Sequence, residues 1–304
     1  MTTPIAIRRG DSFGYQLAVR MIAQVLCDQL NIPYVHNKLP MYKKHNMSQQ
    51  CVDYMYKTVT GQDNTSHDGD AEYFAGWSQI IKSKKPDEPC SPLFSMDQFD
   101  RFKTFASRNE QYRVLNSDRF NITIHIRRGD VQELECGRCM SDESYIDMIN
   151  SCVEKYAEHK DNMRLYIETD SPSMVQSLAT KYNAFVNKSS AYVDELVHNP
   201  PSTLEEKYFS EWSKCIYVLQ SLYNIATADV FVPSRSSFSV LGGIIGHAEI
   251  FSQRFKNGRI KNPDLFFPAT KEYLNISADC TRLQHDAIWL HYLPLVNVDT
   301  IKPL

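Results

Sequence analysis

Phe120-Asn-Ile-Thr-Ile-His-Ile-Arg-Arg-Gly-Asp130 organises the chain. Phe120, Ile122, Ile124 and Ile126 alternate as a buried strand does, and the run stops on two arginines, a glycine and a carboxylate. Two adjacent guanidiniums cannot both enter a core unpaired, because each would lose its hydration. At least one is therefore expected to hold a carboxylate or a phosphate in fork geometry. A structural ion pair with Asp130 satisfies that demand as well as a bound anion does.

Downstream of this strand, helical and strand patterns alternate. Ser141-Asp-Glu-Ser caps a helix whose apolar face is Tyr145, Met148, Ile149, Cys152, Val153 and Tyr156. Arg164-Leu-Tyr-Ile-Glu168 reads as a strand, Pro172 to Lys181 as a helix, and Ala184-Phe-Val186 as a short strand. Ser202-Thr-Leu-Glu205 has the form of a capping box before a long helix carrying Trp212, Cys215, Ile216, Leu219, Leu222 and Tyr223, and Asp229-Val-Phe-Val-Pro233 follows as a strand. Such alternation predicts an α/β fold with a parallel sheet covered on both faces, whose ligands sit beyond the carboxyl ends of the strands. The Arg127-Arg128 turn falls there.

Upstream, Ile5-Ala-Ile-Arg-Arg-Gly-Asp11 nearly repeats Ile124-His-Ile-Arg-Arg-Gly-Asp130. Gly10-Asp-Ser-Phe-Gly14-Tyr-Gln16-Leu17 reads as a tight loop into a helix, and Ile32-Pro-Tyr-Val-His36 as the next strand, which makes a βαβ opening. Asp11, Phe13, Gly14 and Gln16 are candidates for the rim of a ligand cleft. The loop lacks the P-loop pattern, so close packing and anion binding on its amides both remain open. Leu39 to Ala75 is polar apart from Val52, Met55 and Tyr56, and reads as a flap. Its Asp68-Gly-Asp70 admits a divalent ion or a solvated turn, and no strong strand precedes it. The boundary falls near Ser117, giving domains of 1–116 and 117–304.

Composition narrows the function. With 304 residues, 42% hydrophobic, 12% aromatic and a formal charge of −3, the chain is a packed globular protein with no global attraction to nucleic acid or anionic lipid. It contains no apolar run of membrane-spanning length, and Met1 to Ile7 lacks a signal-peptide core, so it reads as cytoplasmic. Eight scattered cysteines predict mostly free thiols, and Cys136-Gly-Arg-Cys139 lacks the second pair of a zinc ribbon. No cofactor and no metal are expected.

Ser234-Arg-Ser-Ser-Phe-Ser239-Val-Leu-Gly-Gly243 follows the last strand into an apolar helix, on the same rim as the arginines. Its hydroxyls and amides can hold a phosphate or simply cap the helix. Here the residues resemble a family. His125-Ile-Arg-Arg-Gly-Asp130 is similar to the His-x-Arg-Arg-x-Asp signature of the α1,2- and α1,6-fucosyltransferase and protein O-fucosyltransferase superfamily. Gly14, Gln16 and Leu17 are similar to the Gly-x-Gly-Asn-Gln-Leu opening of the α1,2 enzymes, with Tyr15 in place of the asparagine. Thr169-Asp170-Ser-Pro-Ser-Met resembles the Thr-Asp-Asp-Pro-Ser-Leu stretch of the α1,6 enzymes, and Ala228-Asp-Val-Phe-Val-Pro-Ser-Arg-Ser-Ser-Phe238 their Ala-Asp-Phe…Ser-Ser segment.

The resemblance implies a GT-B architecture, two Rossmann-like lobes facing across a cleft, and inverting, metal-independent transfer of a sugar from a nucleotide to a glycan hydroxyl. By position, Arg127 and Arg128 hold the pyrophosphate, His125 lies beside the nucleotide, and Ser236, Ser237 and Phe238 surround the distal phosphate, with Asp170, Ser234 and Arg235 as further candidates for the donor nucleotide. Glu135, ten residues after the signature histidine, fills the position of the base, with Glu133 and Asp130 as competitors. Ser221 stands where the α1,6 enzymes carry a guanine-reading aspartate, which leaves the donor open between GDP-fucose and a UDP-sugar such as UDP-xylose. A carbohydrate-binding protein without catalysis, and more distantly a sulfotransferase, are the rivals.

Overall fold

The computed structural model describes residues 3–7, 13–40, 47–66, 69–84, 96–128, 141–187, 204–234 and 236–251. The N-terminal half comprises β1 (Ile5–Ile7), α1 (Phe13–Gln29), α2 (Gln49–Thr60), β2 (Glu72–Phe74), α3 (Trp77–Lys84) and α4 (Phe105–Arg108). The C-terminal half comprises β3 (Phe120–Ile126), α5 (Asp142–Lys155), β4 (Met163–Thr169), α6 (Gln176–Tyr182), β5 (Phe185–Val186), α7 (Leu204–Thr227), β6 (Val230–Val232), α8 (Ser237–Ile245) and β7 (Glu249–Ile250). The fold class is the α/β class that the alternation implied: among the described residues every strand pairing is parallel.

The larger sheet has the order β5-β4-β3-β6-β7, with β3 at its centre. From β3 the chain winds outward through β4 to β5, then α7 returns it to β6 on the other side of β3. The winding direction therefore reverses between β3 and β6, the switch point at which open α/β sheets form a crevice beyond their carboxyl ends. Six of the seven residues of β3 are buried, including Asn121, Thr123 and His125 on its polar face. These find partners inside. The Asn121 side-chain amide donates to the Asn116 and Arg119 carbonyls, each at 2.8 Å, the Thr123 hydroxyl to the Asn224 carbonyl of α7 at 3.3 Å, and His125 meets α8.

In the N-terminal half β1 lies between β2 and an extended segment around Tyr34, whose backbone exchanges bonds of 2.8 and 2.9 Å with Ile5. Two expectations change here. Gly14, Gln16 and Leu17 are helical rather than looped, since α1 already begins at Phe13; a helix buried on nearly every side carries no polar face to mark its start. The polar stretch read as a flap holds α2, seated by buried Cys51, Val52, Met55, Tyr56 and Val59, and ends in β2. A Ser48 cap accepts from the Cys51 N–H at 3.4 Å, and Gly61, at φ 76°, closes α2 in the left-handed conformation that favours glycine.

One hydrophobic core runs without a break from β1 and α1 through β3 and α5 to α8. Cys27, Cys51, Cys152 and Cys215 are buried free thiols. Cys136 and Cys139 lie outside the described residues, as does Asp68. Among the described residues no helix is long and apolar enough to cross a membrane.

Candidate functional site

β3 ends at Ile126, opposite Thr169 of β4, and delivers Arg127 and Arg128 to the sheet's carboxyl rim beside Asp170. The Arg127 guanidinium donates to the Asp170 carboxylate, which also accepts the Arg128 backbone N–H at 2.9 Å. The Arg128 side chain turns the other way, pairs with Asp142 in the first turn of α5, and lies over the Tyr145 ring at 5.1 Å. Each arginine thus meets a carboxylate through one guanidinium nitrogen, Arg127 that of Asp170 and Arg128 that of Asp142, while Asp130 lies outside the described residues. Exposure separates the two arginines: 25% of the Arg127 side chain meets solvent against 4% for Arg128.

Across the crevice, β6 leads through Ser234 to α8, whose cap Ser236 accepts the Phe238 N–H at 3.3 Å. His125 ties the two sides together. Its Nδ1 lies 2.7 Å from the Ser239 hydroxyl and 2.9 Å from that of Ser234, and the Ser234 N–H donates to Ser239 at 3.0 Å. The Phe238 ring stands 5.3 Å from the imidazole. Burial pulls the His125 pKa down to about 4, so the ring is neutral near pH 7 and serves as an uncharged link rather than a cation.

The N-terminal half closes on the same place. A side chain added at Gly14 would put its Cβ 3.2 Å from the Phe238 Cα and 3.3 Å from Cδ2, so the first turn of α1 rests directly on the start of α8. Phe13 and Gln16 are buried in that contact region of α1, and of the two readings for the glycine turn, close packing is the one Gly14 itself performs. The structure therefore brings together Arg127, Arg128, Asp170, His125, Ser234, Ser236, Ser237, Phe238 and Gly14. Asp11, Glu133, Glu135 and Arg235 lie outside the described residues.

No protein-family model and no curated protein matches the chain. A solved structure does. The chain is similar to that of the fucosyltransferase NodZ from Bradyrhizobium, at 11% identity and a TM-score of 0.40, over 81% of this chain and 94% of that one. A likeness of that size says nothing about activity.

Ser221 sits deeper than a base-reading position requires. It is fully buried in α7 and donates its hydroxyl to Glu168 at 2.5 Å. Glu168, opposite His125 in the β3–β4 register, also accepts from Asn224 at 2.6 Å and Asn187 at 3.3 Å. Burial raises its pKa, against the three donors that favour the charged form. Sequence reasoning named Glu168 only as a strand end. The available signal was a carboxylate directly after the apolar and aromatic run Leu165-Tyr-Ile167, where the charge must find donors across the sheet.

Proposed function

We propose that the chain is a glycosyltransferase that binds a nucleoside diphosphate sugar at the reversal between β3 and β6 and moves the sugar to a glycan hydroxyl. The observation that carries this reading is the convergence of Arg127 and the serine-capped start of α8 on that one crevice, linked by His125. Open α/β sheets bind ligands there, and a guanidinium facing a helix N-terminus suits two linked phosphates. In this reading residues 1–116 serve the acceptor and residues 117–304 hold the nucleotide.

In this mechanism the partly exposed Arg127 exchanges part of its Asp170 contact for the phosphates. As the sugar bond breaks, charge grows on the leaving diphosphate, and the guanidinium with the α8 amides stabilises it without a metal. Arg128 holds the turn through Asp142 and Tyr145. Glu135 takes the acceptor proton, with Glu133, Asp130 and Asp11 next in line. The donor is GDP-fucose by the resemblance, or a UDP-sugar such as UDP-xylose; Ser221, fully buried against Glu168, does not decide between the two bases. A second reading, a carbohydrate-binding protein without catalysis, is favoured by the fact that both arginines already hold carboxylates.

Incubation with GDP-fucose or UDP-xylose and a panel of glycans separates these readings. A transferase releases the nucleoside diphosphate and adds one sugar to a glycan, and Glu135→Gln lowers that rate by roughly two to four orders of magnitude while leaving nucleotide affinity near wild type. Glycan affinity with no nucleotide binding or release would establish the second reading instead.

A further inference from the structure

α2 of the N-terminal half packs on α7 of the C-terminal half, and each brings a cysteine to the seam. Cys51 and Cys215 are fully buried, stand as free thiols and share a side-chain hydrogen bond. A second contact fixes that pairing independently. Tyr54 follows Cys51 by three residues along α2, Trp212 precedes Cys215 by three along α7, and their rings meet edge-on with centroids 5.0 Å apart. Residues three apart share a helix face, so two successive contacts taken in opposite chain directions describe antiparallel helices on which Cys51 faces Cys215.

The two thiols are chemically unequal. Cys51 is the third residue of α2, in the first turn, where the positive end of the helix favours a negative sulfur. The hydrogen bond with Cys215 lowers the Cys51 pKa, and the same bond, together with burial, raises that of Cys215. One partner is thus poised as the attacking thiolate and the other as the thiol that follows it, as stepwise thiol–disulfide exchange requires. Cys27 in α1 and Cys152 in α5 differ: burial pushes both thiols up to about 12, which leaves them protonated at neutral pH.

We propose that Cys51 and Cys215 are a disulfide pair, which a small-molecule disulfide oxidant closes into a cross-link between α2 and α7 that ties the two halves of the chain together. The Cys51 thiolate attacks one sulfur of glutathione disulfide and releases one glutathione. Cys215 then attacks the Cys51 sulfur of the mixed disulfide and releases the second. One S–S bond breaks in the oxidant, one forms between the two Sγ atoms, and the two thiol protons leave on the two glutathiones. Both thiols are enclosed in the closed fold, so the exchange runs through local opening, and reclosure returns Cys215 to Cys51. The product needs no added space, because its formation removes two hydrogens and shortens a contact that already exists. The cross-link is independent of sugar transfer and of the Arg127 crevice.

Equilibrating the full chain at about pH 8 in mixtures of glutathione and glutathione disulfide tests this, followed by iodoacetamide without reduction, trypsin and mass spectrometry. The expected product joins peptides 45–57 and 215–235, is two hydrogens lighter than their sum, and grows with the share of glutathione disulfide. Because the bond spans 164 residues of the unfolded chain, the oxidised protein melts about 5 °C above the reduced one. Cys215→Ala loses both the product and the gain, and Cys152→Ala keeps both. The proposal is overturned if no such product forms at the most oxidising ratio, if either cysteine is found mainly linked to a different cysteine, or if Cys51 stops as the mixed disulfide with glutathione. The peptide assignment is made on wild type and decides the matter even where a variant fails to fold.

Discussion

Truncating Arg127 and Arg128 one at a time separates binding from stability, because the two are neighbours in sequence and opposites in exposure. Arg128→Ala removes a side chain that is 4% exposed, its pair with Asp142 and its contact with Tyr145 at 5.1 Å. Asp142 is 44% exposed and rehydrates when abandoned, so the ion pair contributes little of the loss. Loss of the buried stem and the ring contact accounts for the rest, about 2 kcal/mol in all, or a melting temperature lower by about 6 °C. Nucleotide affinity should change less than about threefold. Arg127→Ala should do the reverse. Asp170 keeps the Arg128 N–H at 2.9 Å, so stability falls by at most about 1 kcal/mol. Removing a charge-assisted bond to phosphate costs about 2 to 3 kcal/mol of binding, roughly 30- to 150-fold in Kd. Calorimetric titration with GDP and UDP, beside melting curves, measures both quantities. Wild-type nucleotide affinity in Arg127→Ala, or a larger binding loss in Arg128→Ala, would show that Arg127 is not the phosphate ligand.

His125, whose pKa is depressed to about 4 in the fold, stays neutral there while the unfolded chain takes up its proton below the ordinary 6.5. Stability therefore falls from pH 6.5 towards 4, by about 3 kcal/mol at full extent, with the raised pKa of Glu168 acting in the opposite sense. Denaturant unfolding at the two ends of that range should show a smaller drop for His125→Gln, and an identical drop would assign the acid sensitivity elsewhere. Gly14→Val must push the start of α8 aside, given the 3.2 Å approach to Phe238, and should cost about 1 to 3 kcal/mol in unfolding free energy and weaken nucleotide binding as well. Unchanged nucleotide affinity in a folded Gly14→Val protein would detach α1 from the site. Ser221→Ala deprives buried Glu168 of a donor and should destabilise by about 1 to 3 kcal/mol. Loss of nucleotide affinity without loss of stability in that variant would restore Ser221 to the ligand.

The sheet was legible because β3, β4 and β6 carry runs of β-branched and aromatic residues that end in rim residues with recognisable chemistry. Of the short edge strands, β5 was legible, but β2 with three residues and β7 with two were not, since so few residues register no period of their own. The start of α1 was misread for a related reason, since burial on nearly all sides removes the polar stripe that marks a helix. Within the site, the arginine turn and the serine loop were legible as residue types, and the sheet order put them on one crevice. Their partners were not, because Arg128 meets Asp142 and Arg127 meets Asp170 at separations of 14 and 43 residues, which no local spacing encodes. Buried Arg20 passed unnoticed within the otherwise apolar run Leu17 to Ala23, where a lone cation gives no sign of whether it is buried or snorkels to solvent.

Hydrogen exchange of the full chain with and without saturating GDP or UDP bears most directly on the nucleotide site. Protection should appear in the amides of Arg127 and Arg128 and of Ser236 to Ser239, the two sides of the β3–β6 crevice, while α2 and its neighbours in the N-terminal half stay unchanged. Binding of either nucleotide with protection confined to other segments, or no protection with any nucleoside diphosphate or its sugar, would mean that the crevice is not where a nucleotide binds.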